Sequence, residues 1–120
     1  MLIRYKKTFE KIAMGLLSFM PSEKDLKRLQ QTIKQYESGE GWQLFLWKED
    51  EDIIGLLGGL WLDDKNFQIH HISLNPSHRQ LGIGKNMVKS FKELYPDKHV
   101  TANETIKAFL NKCNENEADC

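Results

Sequence analysis

The amino-acid sequence predicts a mixed α/β protein in which a single sheet is covered by helices on both faces. Four segments carry apolar residues at helical spacing, and the segments between them show the alternating or wholly apolar patterns of strands. Residues 53–62 are so apolar that a strand formed there must be covered on both faces. The expected element order along the chain is therefore β-α-α-β-β-β-α-β-α.

The first half of the chain predicts three strands and two helices. Residues 2–5 alternate as a short strand does, and residues 8–20 carry an apolar helical stripe that ends at Pro21. Ser22, followed by acidic residues, is the expected N-cap of a second helix that extends to about Gly39. Two strands follow at residues 42–47 and 53–62, joined by a charged turn.

The second half predicts two strands and two helices. Residues 67–74 and 99–101 have strand patterns, residues 83–94 form an amphipathic helix, and a last helix starts at Asn103 or Thr105. A chain of 120 residues is long enough for one hydrophobic core. We therefore expect one domain over residues 1–120, with a frayed polar tail at about 115–120.

The composition argues against several classes of function. The 17 Lys and Arg residues balance the 17 Asp and Glu residues, so no overall field attracts nucleic acid or a membrane surface. The longest apolar run, residues 53–62, is too short to cross a bilayer. Cys113 and Cys120 form no metal-ligand pattern. We expect reduced thiols, no metal site and a cytoplasmic location.

A candidate anion site lies where the strand at residues 67–74 turns into the helix at 83–94. The turn contains Gly82 and Gly84, which keep side chains away from a ligand lying against the backbone. Free N–H groups and the helix dipole favour a phosphate or pyrophosphate at such a helix start. Arg79 and Lys85 bracket the turn and could close on the anion. A tight strand-to-helix connection with an exposed arginine would show the same pattern.

Two familiar phosphate-binding motifs do not fit this turn. The dinucleotide-binding fingerprint needs a third glycine, which is absent. A Walker loop needs Ser or Thr after Gly-Lys, whereas Asn86 follows Lys85 here. The remaining pattern is Arg79-x-x-Gly82-x-Gly84 after a strand that ends in Ile72-x-Leu74.

That pattern resembles the acyl-CoA-binding segment of the GNAT superfamily of N-acetyltransferases. A later segment, Asn103-x-x-Ile106-x-x-Phe109-Leu110-x-Lys112, resembles the last helix of the family. Residues 6–21, 43–52 and 71–73 are similar to the small RibT-type members, which are encoded with riboflavin-biosynthesis genes. The resemblance implies a GNAT-like mixed sheet. It also implies that the chain lacks the strand pair that commonly follows the last helix in this family.

The resemblance further implies an acetyl-CoA site. The backbone of the strand end would pair with the pantetheine arm, and the glycine-containing turn would hold the pyrophosphate. The implied cofactor-binding residues are Ile72, Ser73, Leu74, Arg79, Gln80, Leu81, Gly82, Ile83, Gly84, Lys85, Asn103 and Phe109.

Acetyl transfer to an amine needs a polarised carbonyl and a proton acceptor. The resemblance implies that the N–H of Leu74 polarises the carbonyl, aided by a bulge in the strand. His70 and His71 are candidate general bases, and alternation predicts that they lie on opposite faces of the sheet. His71, on the same face as Ser73 beside the expected thioester, is the preferred base. Both histidines would also suit half-polar sheet positions without a catalytic role.

The chain departs from the family pattern at two positions that concern catalysis. Gln68 stands where many members have a carboxylate, and Leu110 stands where they have a tyrosine that protonates the leaving sulfur. Cys113 lies one helical turn further on. Without the last two strands, part of the acceptor-side wall would either be missing or be supplied by another copy of the protein in a homodimer.

The sequence thus predicts an N-acetyltransferase that moves the acetyl group from acetyl-CoA to a small-molecule or peptide amine. Family association links it to riboflavin metabolism. Two alternatives stay open: a CoA-binding sensor or interaction module without turnover, and an unrelated binder of nucleotide phosphates.

Overall fold

The computed structural model describes residues 1–23, 25–79 and 81–115, without the side chains at 109, 110 and 112–115. Its strands are β1 (Leu2–Arg4), β2 (Trp42–Glu49), β3 (Asp52–Trp61), β4 (Asn66–Leu74) and β5 (His99–Ala102). Its helices are α1 (Glu10–Leu17), α2 (Leu26–Ser38), α3 (Ile83–Leu94) and α4 (Glu104–Glu115), with short 3₁₀ turns at Lys7–Phe9 and Pro76–His78. The predicted order of strands and α-helices is confirmed. Residues 116–120, which include most of the predicted tail and Cys120, lie outside the described part.

The five strands form one sheet in the order β1-β2-β3-β4-β5. Strands β2, β3 and β4 are antiparallel, because each connection between them is short enough for a hairpin. Strand β1 also pairs antiparallel with β2, although α1 and α2 lie between them in the chain. Strand β5 pairs with β4 in parallel after the α3 crossover. That parallel ladder runs only from Asn66 to Ile69 on β4, and it ends opposite Ala102. Within the described residues, every later ladder pair of β4 is with β3.

Helices cover both faces of the sheet. On one face the α3 residue Phe91 packs against Phe67 of β4 and Phe45 of β2, with ring centroids 4.5 and 5.5 Å apart. On the other face the α2 residue Tyr36 packs edge-on against Trp42 of β2 at 5.7 Å. Helix α1 lies beside α2 on this second face, because Ser73 of β4 reaches its Leu16 carbonyl. The core therefore has two layers, one on each side of a central sheet.

The start of α2 differs from the prediction. Asp25 is the N-cap, since its side chain accepts a hydrogen bond from the Arg28 N–H at 2.7 Å. The prediction that Ser22 caps this helix was wrong because Glu23, the acidic residue after it, turns inward and is fully buried. The chain therefore runs three residues further before the helix begins.

Strand β4 contains a bulge at His70. Gly58 of β3 is opposite His71, and the next residue, Gly59, is opposite Ile69, so His70 is the extra residue. A Cβ at Gly59 would collide with the Gln68 carbonyl beside the bulge, which explains the glycine there. The bulge interrupts the alternation of side chains along the strand.

As a result, both histidines lie on the α1/α2 face, and the prediction of opposite faces was wrong. The His70 ring packs against Trp42 with centroids 4.8 Å apart, and the His71 ring packs against Tyr36 at 5.4 Å. Trp42 and Tyr36 are themselves in contact on that face. Simple period-2 counting fails here because one residue is inserted between the two halves of the strand.

Candidate active site

The free edge of β4 begins where β4 and β5 separate. The Asn103 N–H donates to the Ile69 carbonyl at 3.1 Å, and this is the last backbone hydrogen bond between the two strand ends among the described residues. Beyond it, the Asn75 N–H donates to Ile54 of β3 at 2.8 Å. Because N–H directions alternate along an extended strand, the N–H groups of Leu74 and Ile72 point away from β3, toward the open edge.

The open edge leads directly to the N-terminal end of α3. Gly82 precedes the helix with φ +75°, the left-handed conformation that favours glycine, and a Cβ there would meet nothing within 4 Å. Helical bonding starts with the Asn86 N–H, which donates to the Gly82 carbonyl at 3.1 Å. The first turn of α3 contains no acidic side chain. The positive end of the helix dipole therefore faces open space beside the edge of β4.

The residues of this turn have different environments. The Arg79 side chain is exposed, and its guanidinium carbon lies 5.7 Å from the centre of the Phe19 ring. Leu81 and Lys85 are exposed, whereas Ile83 and Gly84 are buried against the core. Only the backbone of the two buried residues can face a ligand. Gln80 lies outside the described residues.

Asn103 connects α4 to the point where the strands separate. Its side-chain oxygen accepts a hydrogen bond from the Ile106 N–H at 3.0 Å and so caps α4. Of the two expected helix starts, Asn103 and Thr105, the structure confirms Asn103. Phe109 belongs to α4, but its side chain, like those of Leu110 and Cys113, lies outside the described part of the structure.

Ser73 is on the same face as His71, as predicted, and its hydroxyl is engaged within the protein. Its Oγ donates to the Leu16 carbonyl at 2.6 Å, and the residue is buried. This bond attaches the last turn of α1 to β4. Its neighbours Ile72 and Leu74 point their side chains into the core, so their main chain is the part available at the open edge.

His71 lies at the centre of a buried polar cluster. Its Nε2 is 3.0 Å from Oε1 of Glu23, and its Nδ1 forms a short hydrogen bond with the Tyr36 hydroxyl. Burial lowers the pKa of His71, although the Glu23 carboxylate opposes that shift. Burial raises the pKa of the Tyr36 phenol, and the nearby Glu23 charge raises it further. The cluster therefore favours a neutral imidazole beside a protonated tyrosine at neutral pH.

His70 has a more open position and different partners. Its Nε2 is 2.9 Å from the side-chain oxygen of Gln68, and partial burial lowers its pKa. Gln68 thus pairs with a histidine and cannot itself take up a proton.

Glu23 is the residue of this region that the sequence did not indicate. It is 0% exposed, and its Oε2 accepts the Thr32 hydroxyl at 2.8 Å and lies 3.5 Å from Nε of Arg28. An acidic residue just before a helix normally reads as part of a cap. The only local signal is its position between two helices that pack on the same sheet face.

Fold and site together define an α/β protein whose sheet opens beside a helix N-terminus. The family model described as "Acetyltransferase (GNAT) family" matches residues 10–116, so the chain belongs to the GNAT acetyltransferase family. The expected membership is confirmed. None of the helices in the described segments has the length and hydropathy needed to cross a membrane.

Known proteins agree with this assignment. An "uncharacterized N-acetyltransferase in lysA 3'region" of Bacillus methanolicus is 67% identical over 113 residues, which are 94% of each chain. A GNAT family acetyltransferase of Elizabethkingia anophelis with acetyl-CoA bound superposes with a TM-score of 0.69 at 19% identity, over 95% of this chain and 73% of that one. AAC(6')-Iy with a CoA–acetylneamine bisubstrate analogue gives 0.71 at 13% identity, over 100% and 92%. The two structural matches show the shared fold.

Proposed function

We propose that this protein transfers an acetyl group from acetyl-CoA directly to the amine of a small molecule or peptide. The observation that carries the proposal is the open edge of β4, which leads to the N-terminal end of α3, where Gly82 has open space beside it. Family membership supports the reaction type. Two matched structures hold acetyl-CoA or a CoA analogue in the same fold, which supports the cofactor.

In this proposal the cofactor lies along β4 and ends at α3. Main-chain groups of Ile72, Ser73 and Leu74 pair with the pantetheine arm as an added strand would. The pyrophosphate lies against the N-terminal end of α3. The residues proposed to hold the phosphates are Arg79, Gln80, Leu81, Gly82, Ile83, Gly84 and Lys85, and Asn103 and Phe109 flank the opposite side.

The chemistry would use both the backbone and the buried cluster. The amine nitrogen attacks the thioester carbon, the C–S bond breaks, and the CoA thiolate leaves. The Leu74 N–H, which points to the open edge, stabilises the developing oxyanion, and one such donor is worth about 3–4 kcal/mol. Ser73 holds β4 in place through Leu16. His71 takes up the proton that the amine loses.

Calorimetric titration with acetyl-CoA tests the cofactor site. Gly82→Val should weaken binding at least about tenfold, because a branched side chain would enter the open space and disfavour φ +75°. Gly15→Ala is the matched control, since a Cβ at Gly15 also meets nothing within 4 Å but lies in α1. Equal affinity in both variants, or no binding heat with folded wild-type protein, would contradict the proposed site.

A second candidate is a CoA-binding sensor or interaction module with little turnover. The observation in its favour is that Gln68, where many family members carry a carboxylate, bonds to His70 and cannot act as a base. Thiol release from acetyl-CoA, measured against a broad panel of amines, separates the two. Sustained amine-dependent release favours the enzyme, and binding without release favours the module.

The cellular setting is also part of the proposal. Similarity of three segments to RibT-type proteins supports a role in riboflavin metabolism, in the cytoplasm, for a single domain. Including amine-bearing flavin precursors in the acceptor panel tests the metabolic link. The proposal also includes a homodimer, and light scattering during acetyl-CoA titration tests whether it forms.

A further inference from the structure

Phe19 is a large apolar side chain that remains at the surface of the protein. It lies in the turn that follows α1, and it is 43% exposed, whereas Leu17 and Met20 on either side are buried. An exposed apolar side chain does not by itself indicate a function. This one has a charged partner, because the guanidinium carbon of Arg79 lies 5.7 Å from the centre of its ring. The ring quadrupole attracts a cation at that distance.

The backbone of Phe19 is attached to β4 through a single carbonyl group. The Leu16 carbonyl accepts the Phe19 N–H at 3.2 Å, and it also accepts the buried Ser73 hydroxyl at 2.6 Å. The next residue, Met20, donates its N–H to the Leu17 carbonyl at 2.9 Å and buries its side chain. These contacts fix the turn that carries the phenyl ring relative to the end of β4, which is part of the proposed cofactor edge.

Arg79 approaches the ring from the segment between β4 and α3. Its N–H donates to the Pro76 carbonyl at 3.4 Å, and Gly82, the N-cap of α3, follows shortly after it in the chain. No acidic side chain of the described segments pairs with its guanidinium. A ring contact uses the positive charge of the guanidinium and leaves its N–H donors free. Those donors are what the bidentate binding of a phosphate requires.

We propose that Phe19 is a positioning residue for the phosphate groups of acetyl-CoA, an inference that rests on the cofactor site proposed above. The ring restrains the Arg79 guanidinium within the turn that leads to α3. A long exposed side chain loses rotamer freedom when it binds an anion, and that loss opposes binding. Because the ring contact already restricts Arg79 in the free protein, less freedom is lost when the pyrophosphate binds. Ser73 contributes indirectly, since its bond to Leu16 fixes the turn that carries the ring.

Calorimetric titration of Phe19→Leu with acetyl-CoA tests this role. Leucine keeps an apolar side chain in the turn but has no aromatic face, so we expect the affinity to fall about two- to fivefold, as for an exposed cation–π contact. Phe19→Tyr should retain the wild-type affinity, because a tyrosine ring also attracts a cation. Ile12→Ala is the matched control, since Ile12 lies in α1 and is 40% exposed. Equal affinities in Phe19→Leu and Ile12→Ala, or equal losses in Phe19→Leu and Phe19→Tyr, would overturn the role.

A double-mutant cycle with Arg79→Met tests whether Phe19 acts through the arginine. Arg79→Met alone should weaken binding more than Phe19→Leu does, because it removes charged hydrogen bonds to the phosphates. Adding Phe19→Leu to that variant should then have no further effect. A further loss as large as in the wild-type background would overturn the positioning role. Each readout is an affinity, so the result does not depend on turnover. No binding heat with folded wild-type protein would instead contradict the proposed cofactor site itself.

Discussion

The two faces of β4 are stabilised in different ways. Toward α3, Phe67 and Ile69 are fully buried among other apolar side chains, and the Phe67 ring stacks against Phe91. Toward α1 and α2, buried His71 and Ser73 depend on hydrogen bonds to groups elsewhere in the chain. Apolar packing tolerates many partners of suitable size, whereas each buried polar atom needs a specific one. The first face gives stability, and the second fixes the position of the helices relative to the strand.

Truncation of the apolar face should produce the largest effect. Phe91→Ala should reduce the free energy of unfolding by about 3–5 kcal/mol, because it leaves a cavity among Phe45, Phe67 and Tyr95. Urea denaturation followed by fluorescence measures the change. Lys92→Ala, on the exposed side of the same helix, is the control and should stay within about 0.5 kcal/mol of wild type. A loss below about 1 kcal/mol for Phe91→Ala would contradict this description of the core.

Removing one bond from the polar face should cost less. Ser73→Ala should lower stability by about 1–2 kcal/mol, because the buried bond to the Leu16 carbonyl is lost. Ser18→Ala removes a bond of the same 2.6 Å length to the Gly15 carbonyl at an exposed position. We expect that control to cost under about 0.5 kcal/mol in the same urea assay. Equal losses would show that burial of the Ser73 bond adds nothing.

The next prediction concerns the N-cap of α2, the helix that covers the polar face of β4. Asp25→Ala should cost about 1 kcal/mol, because the Arg28 N–H loses its acceptor. Ser22→Ala, at the exposed position first expected to be the cap, should have almost no effect. Thermal unfolding of the two variants side by side decides between them. A larger effect for Ser22→Ala would instead support Ser22 as the N-cap.

Acidification should lower the free energy of unfolding by less than any of these substitutions, through the histidines of the polar face. Burial lowers the pKa of His71 and His70 in the folded protein, so the unfolded chain binds protons first. The free energy of unfolding is therefore highest above a pH of about 6.5, the ordinary pKa of histidine. It falls as the pH drops toward the lowered pKa values of the two histidines in the folded protein. Urea denaturation at pH 7.5, 6.5 and 5.5 measures the slope. His70→Gln should flatten it, and a stability that rises on acidification would contradict the lowered values.

The apolar half of this structure could be predicted from the sequence because its signals are local. Helical spacing of Ile83, Met87, Phe91 and Leu94 identified α3. The first three are buried, whereas Leu94, at the end of the helix, is 55% exposed. The glycines at 82 and 84 indicated where the helix begins: Gly82 is the N-cap in the left-handed conformation, and Gly84 lies in the first turn of α3. Periodicity and turn chemistry act over a few residues, so one sequence is sufficient to read them.

The polar half could not be predicted, because its contacts join distant positions. Glu23 and His71 are 48 residues apart, and no local pattern links them. The bulge at His70 depends on Gly58 and Gly59 in another strand, so it leaves no period in β4 itself. The same bulge made the predicted position of one candidate base wrong, because counting alternate residues assigned the His70 side chain to the wrong face of the sheet.

The single inserted residue at position 70 also bears on how relatives of this chain should be compared. A pairwise alignment that slips by one place there would exchange the positions equivalent to His70 and His71, although only one of them contacts the enclosed glutamate. Substitutions in this strand can be interpreted only after the extra residue has been aligned correctly. Gly58 and Gly59 of β3, which lie opposite His71 and Ile69, show where it belongs.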